Sequence, residues 1–446
     1  MILRFYRSFP RLSAPALLIA LATLMPTPTR SDTILAQDFL DFDTQQAELG
    51  RLLFYDKILS GNQNISCATC HHHSLHGADG ISLGIGEGGA GLGPDRTPGE
   101  GLHRIAERVP RNAPALWNLG HSEVREMFHD GRVERIGAGY VAFKTPAKEY
   151  TPAGLNSLLA AQALFPISSP TEMAGHPDEN PVSAAFAERI DLGWAMLADR
   201  VRDVPEYQRL FEVSYPDVHD PDDITIVEIV NAIAAFIGTE WQSYDSPYDK
   251  WLTEGTPLSP EAERGRQLFF GDAGCSGCHN GPRFTDQNFY AVGVPQFGPG
   301  RPFGEDTMPH DLGRMETTRN PEDAYKFRTP SLRNVALTAP YGHNGAYPTL
   351  RAMIRHMCDP LTARSEWAPG MARLPDVSWL NERDFTLVGD VLETAQQVAY
   401  LDISPVEMVE TDIDALEAFL NALTGETAEK RPMGRPDTVP SGLPVD

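Results

Sequence analysis

Two short runs, Cys67-Ala-Thr-Cys70-His71 and Cys275-Ser-Gly-Cys278-His279, constrain this chain more than any other feature. Each is C-x-x-C-H, the attachment signature of haem c. Side chains three and four apart share one face of a helical turn. The two sulfurs of each run can therefore bond porphyrin vinyl groups while the histidine reaches the iron. Both loops are too short for ordinary structural disulfides. Two other chemistries use such pairs. A four-cysteine zinc site normally spaces them more closely and needs no His after each. A thioredoxin-type redox pair sits in a βαβ pattern, and none surrounds either run. The fifth cysteine, Cys358, is odd and reads as a buried thiol.

The runs lie about two hundred residues apart, and similar segments precede them: Leu49-Gly-Arg-Leu-Leu-Phe54 and Arg264-Gly-Arg-Gln-Leu-Phe269. A weak internal repeat of this kind suggests two related domains, and 446 residues suffice for two or three. Ser259 with Pro260 makes a good helix start. Ile226, Ile229, Val230, Ile233 and Ile237 recur at helical spacing, as do Leu416, Phe419, Leu420 and Leu423 after the capping candidates Thr411 and Asp412. Strand signals are sparse and Gly and Pro plentiful, 38 and 37 residues, which predicts helices joined by long loops. The stretch Gly84 to Gly101 is Gly-rich but lacks the Lys and Ser/Thr of a phosphate cradle.

Arg4, Arg7 and Arg11 precede an apolar run from Ala14 to Met25, so residues 1–31 read as a signal peptide for export to the periplasm. The competing reading is a membrane anchor, for which the run is short; no later segment is apolar enough to span a bilayer. A formal charge of -24 argues against nucleic acid and suits attraction of a basic protein partner. The Pro-rich residues 431–446 read as a flexible tail.

From about Leu49 to Thr424 the chain resembles the bacterial di-haem cytochrome c peroxidases and their MauG-type relatives, which oxidise a partner protein. The shared elements come in the family's order: LGRLLFYDKILSGNQNISCATCH, Arg111-Asn-Ala-Pro114, Phe128-His-Asp-Gly-Arg132, Gln162 through Glu172-Met173, the second cysteine run, Thr329-Pro-Ser-Leu-Arg-Asn334, and Leu337-Thr-Ala-Pro-Tyr-Gly-His343. The resemblance implies a mainly α fold of two cytochrome c-like haem domains with long loops. Residues 32–250 would carry the peroxidatic haem and 251–430 the electron-transfer haem. It implies two haem c groups, bound through Cys67, Cys70, Cys275 and Cys278 with His71 and His279 on the irons.

Further roles follow from the same resemblance. Glu172 matches the carboxylate that moves a proton between peroxide oxygens, Gln162 the distal glutamine, and Pro166 a proline shaping that pocket. Without the family spacing, Glu172 would read as a solvated loop carboxylate. Met357, fourteen residues after His343, matches the peroxidases' methionine ligand, where the MauG branch has tyrosine. A methionine ligand raises haem potential, which suits an electron-accepting site. Core packing of Met357 and ligation by His356 are the alternatives. Asn112, Thr338 and Pro340 match positions holding a calcium ion between the haem domains; turn formation is their plainer reading.

The pattern also departs from the family. His129 stands where a tryptophan between the haems is usual, so Trp117 or Tyr140 becomes a candidate to assist electron transfer. Residues from about Val133 to Leu155 are an addition. Where a distal histidine often closes the first haem this chain has Glu87, and His103 is the candidate distal ligand. The expected reaction is reduction of hydrogen peroxide with electrons from a small periplasmic cytochrome c or copper protein, in a chain that pairs as a homodimer. A MauG-like oxidase, modifying a partner protein or organic molecule through a ferryl intermediate, is the second reading. A plain electron carrier is the third.

Overall fold

Gly50 and Gly265, the matched glycines of the internal repeat, each lie at a close helix crossing. The Thr44–Tyr55 helix crosses Ile226–Glu240 so closely that a Cβ on Gly50 would sit 1.8 Å from the carbonyl oxygen of Ala232. The Pro260–Phe270 helix crosses Glu410–Asn421 the same way, and a Cβ on Gly265 would meet the carbonyl oxygen of Ala415 at 1.8 Å. Only glycine allows backbones to approach this far. The repeat in the sequence is therefore a repeat of packing, with one such pair of helices beside each cysteine run.

In the computed structural model, which describes residues 33–101, 104–137, 142–301, 304, 307–430 and 434–446, the protein is mainly helical as expected, and its strands are two or three residues long. The signal segment, His103 and Tyr140 lie outside the described residues. No helix among the described residues is long and apolar enough to cross a membrane.

Local rules account for the helix starts. Thr225 Oγ1 accepts the Val227 N–H while Glu228 accepts the Thr225 N–H at 2.9 Å, closing a capping box. Ser259 accepts the Ala262 N–H at 3.1 Å, with Pro260 in the first turn. The last long helix starts two residues earlier than a cap at Thr411 would place it. Val409 is its N-cap, and Asp412 reaches back to the Val409 N–H at 3.2 Å while Thr411 sits inside the first turn.

Apolar side chains gather into two large clusters. One is drawn mainly from Leu49 to Trp241, takes in Trp117, Trp194 and Phe236, and adds Ala428 and Val439; the other is drawn mainly from Tyr248 to Leu423 and is built on Phe269, Phe284, Tyr347 and Phe419. Two segments cross this division. Leu83 belongs to the second cluster, and Ile81, Ile85 and Ile105 pack with Val377 and Leu380. The Gly-rich loop thus lies against the C-terminal half, although it follows the first cysteine run.

The tail corrects an expectation. Residues 434–446 are docked, not loose: Val439 is buried, and Leu443 and Val445 pack on the first cluster. Ser441 Oγ donates to the buried Asp56 at 2.6 Å, and Asp446 pairs with Lys57 at 2.5 Å and accepts from the Thr69 hydroxyl. Proline content suggested looseness, but the partners that hold the tail are nearly four hundred residues away in sequence. The addition after Arg132 folds as a small antiparallel sheet in which Val133–Arg135 pairs with Glu126–Met127 and with Phe143–Lys144.

Candidate functional site

The two cysteine runs adopt the same local geometry. Each is one helical turn in which the histidine N–H closes onto the first cysteine's carbonyl, His71 to Cys67 at 3.0 Å and His279 to Cys275 at 2.9 Å. His71 Nδ1 lies 2.9 Å from the Gly77 carbonyl and His279 Nδ1 3.0 Å from the Phe284 carbonyl. A carbonyl only accepts, so Nδ1 carries the proton and each Nε2 keeps its lone pair. Burial lowers the proton affinity of both rings, against a smaller opposing pull from those carbonyls. Both imidazoles are thus neutral and fixed in the tautomer a metal needs.

The alternatives to haem lose ground here. None of the five cysteines is in a disulfide, and burial pushes Cys67, Cys70 and Cys275 up to about 12, far from the thiolate that a redox nucleophile requires. Cys67 and Cys70 pack on the first apolar cluster and Cys275 on the second, so the pairs do not meet. Among the described residues no group of three or more His, Cys, Asp or Glu is arranged to hold a metal.

Glu172 lies in the turn Pro170–Ala174, whose start is capped by Ser169. The turn is pinned from the Gly-rich loop: Glu87 N–H donates to the Thr171 carbonyl at 3.2 Å, and a Cβ on Gly86 would meet that oxygen at 1.9 Å. Burial raises the proton affinity of Glu172, and the guanidinium groups of Arg132 and Arg301 pull it back down in part. The same carboxylate acts electrostatically on Cys70, which puts it beside the first cysteine run. Gln162 and Pro166 precede it on the Leu158–Ala163 helix and the Pro166–Ser168 turn, and the Gln162 amide makes no hydrogen bond among the described residues. Glu87 is held by the amides of Asn62 and Asn64 at 2.8 and 2.7 Å.

On the Leu350–Cys358 helix, His356 has both ring nitrogens engaged, Nδ1 with Tyr347 OH at 2.7 Å and Nε2 with the Val292 carbonyl at 2.8 Å. It has no lone pair left for iron. Met353 packs on the second cluster, whereas Met357 is half-buried and stands outside it. Asn112 donates to the Ile81 carbonyl at 2.8 Å and its own N–H to the His343 carbonyl at 2.9 Å. Ser82 and Pro340 both crowd Gly345, so Asn112 and Pro340 border one contact, with Thr338 two residues away.

Residues 44–256 match the family described as di-haem cytochrome c peroxidase. The chain is 27% identical to methylamine utilization protein MauG of Methylorubrum extorquens over 387 residues, 86% of this chain and 79% of that protein. It is 31% identical to cytochrome c551 peroxidase of Nitrosomonas europaea over 316 residues, 71% of this chain and 73% of that protein. This chain belongs to the di-haem cytochrome c peroxidase family. Among solved structures, a MauG-like protein associated with microbial copper homeostasis superposes with a TM-score of 0.57 at 25% identity, covering 94% of this chain and 99% of that one.

Within the di-haem peroxidase family this chain's residues fit the porphyrins well. Two oriented histidines follow two pairs of half-buried cysteines that form no disulfide. Several buried donors, among them the indole N–H groups of Trp117 and Trp241, have no hydrogen-bond partner among the described residues.

The family motif Phe128–Arg132 also forms a buried charge network that sequence reading missed. Asp130 accepts from Arg111 at 2.6 Å, Arg301 at 2.8 Å and Arg132 at 3.1 Å, and Arg111 grips Asp311 with two bonds of 2.6 and 2.7 Å. Asp130 is held well below the usual carboxylate range because these cations outweigh its burial. The alternation of Arg and Asp in the motif was a usable signal for part of this. Nothing local marks Arg301, which arrives from a distant loop. His129 is half-buried, pushed down to about 4 chiefly by burial and by Arg111, and its Nε2 meets the Asn112 carbonyl at 3.1 Å. It is neutral and fixed in place. Trp117 packs edge to face on Trp241, with ring centroids 5.1 Å apart.

Proposed function

We propose that this protein is a periplasmic di-haem peroxidase that reduces hydrogen peroxide to water at the first haem with electrons from a small cytochrome c or copper protein entering at the second. Haem c, when bound at each cysteine run, supplies an iron able to exchange electrons with peroxide or a donor. The chain supplies everything else. Residues 32–250 and 251–430 form two cytochrome c-like domains. His71 and His279 hold the irons, and Met357 completes the second, a reading supported by the full engagement of His356.

Half-buried Glu172, whose proton affinity burial raises, is the observation that carries the reading. A carboxylate beside the first cysteine run, with its proton affinity raised by burial and moderated by two arginines, is poised to take a proton from one peroxide oxygen and return it to the other. Gln162, with an unengaged amide, orients the oxygens, and Pro166 shapes the wall. Asn112, Thr338 and Pro340 offer oxygen donors to a calcium ion.

Glu172→Gln tests this directly. Peroxide-dependent oxidation of reduced cytochrome c is expected to fall about 10²–10⁴-fold while pyridine haemochrome spectra keep two attached haems. An unchanged rate would remove Glu172 from the mechanism. Alignment with MauG over more of this chain than with the peroxidase favours one further reading, oxidation of a partner protein or organic molecule. Peroxide consumption without cytochrome turnover would select it.

A further inference from the structure

Three buried N–H donors converge on the Pro282–Arg283 turn, just after His279, and none has a hydrogen-bond partner among the described residues: His121 Nε2, Arg283 Nε and Arg333 Nη2. These side chains are only 3%, 4% and 3% exposed. Their placement is shared. His121 Nδ1 accepts the Glu123 N–H at 3.2 Å, so its proton is on Nε2 and that nitrogen is a donor. Arg283 reaches the Glu123 carbonyl at 3.5 Å, gripping the same residue, and its own carbonyl is fixed by Ser331 Oγ at 2.7 Å. Arg333 Nε donates to the Pro282 carbonyl at 2.9 Å and Nη1 pairs with Asp249 at 2.6 Å, which leaves Nη2 over.

The charge is also unbalanced. Arg283 makes no ion pair among the described residues, and both Arg283 and Arg333 act as positive neighbours on His121. A buried cation without an anion costs several kcal/mol, and three unmatched donors add to that cost. An acceptor with negative charge resolves both at once. A porphyrin attached at Cys275 and Cys278 would carry two propionate carboxylates, and Arg283 is in the same turn that orients His279.

We propose that His121, Arg283 and Arg333 form the binding site for a propionate of the second haem, with His121 reaching it from the N-terminal half of the chain. This rests on the di-haem reading above. A guanidinium against the carboxylate offsets negative charge near the iron and so favours the reduced state. The site therefore ties the two halves together through the cofactor and helps set the potential at which electrons enter.

The test uses the full holoprotein. Pyridine haemochrome analysis comes first: fewer than two attached haems would overturn the di-haem reading and this site with it. With two haems attached, Arg283→Gln is expected to shift the second haem's reduction equilibrium about tenfold toward the oxidised form, about 59 mV for one electron, with Arg283→Lys retaining most of the wild-type value. His121→Phe, which removes one neutral donor and keeps a ring, is expected to shift it the same way by less. An unchanged potential in both Arg283→Gln and His121→Phe would overturn the site and leave the di-haem reading standing. So would a shift confined to the first haem. A wild-type potential that follows added phosphate would assign the donors to a free anion and overturn the propionate.

Discussion

Asp130→Asn keeps the shape of the side chain and removes the one carboxylate on which Arg111, Arg132 and Arg301 converge at 2.6, 3.1 and 2.8 Å. Asp130 is 1% exposed, and without it Arg111 keeps Asp311 and Arg301 keeps Glu316 while Arg132 is left without a carboxylate partner among the described residues. Breaking a buried ion pair of this kind costs about 3–5 kcal/mol. For a chain of this size that is a fall of roughly 3–5 °C in melting temperature. The loss has a sign in pH. Asp130 is depressed in the folded state, so its stabilisation is present above the ordinary value of 3.8 and is lost as pH falls through the folded-state value. The gap between wild type and variant is therefore wide at neutral pH and narrows in acid. A second consequence concerns Glu172, which Arg132 and Arg301 already pull down. Released from Asp130, both act on it more fully, its proton affinity drops, and the acid limb of the peroxidase pH profile moves to lower pH. Scanning calorimetry at several pH values and initial rates across pH read the two effects separately. A melting shift under about 2 °C at neutral pH, or an acid limb displaced upward, would refute the electrostatic account.

The remaining predictions concern ligation and packing. Met357→Ala is expected to change the electron paramagnetic resonance signal of the second haem and leave the first untouched; an unaltered signal excludes Met357 as a ligand. Gly50→Ala and Gly265→Ala each place a methyl 1.8 Å from a backbone oxygen that belongs to the crossing helix. Each is expected to destabilise by about 1–3 kcal/mol, whereas Gly370→Ala, with nothing within 4 Å, melts like wild type.

The cysteine runs, the repeat and the helix starts were legible in the sequence because each is a local arrangement: ligand spacing along one turn, an apolar period, a cap beside a proline. The meaning of the repeat was not. That Gly50 and Gly265 mark helix crossings depends on Ala232 and Ala415, each about 150 residues or more away in sequence. The same separation hid Arg301 from Asp130 and the tail from Asp56. Sequence left His356 and Met357 as rival ligands. Tyr347 and Val292 weigh against the first by occupying both ring nitrogens, one from nine residues upstream and one from a separate loop. Placement of Gln162 and Glu172 came from family spacing, but the arginine pair facing the carboxylate is a product of folding alone.

The docked tail bears on how the protein is made. Residues 434–446 complete the wall around Asp56, Lys57 and Thr69, and Thr69 stands between the two thiols of the first run. A ribosome delivers those residues after everything else described in the structure. An N-terminal half produced by itself would therefore present the bare seat of Val439, Leu443 and Val445 to solvent.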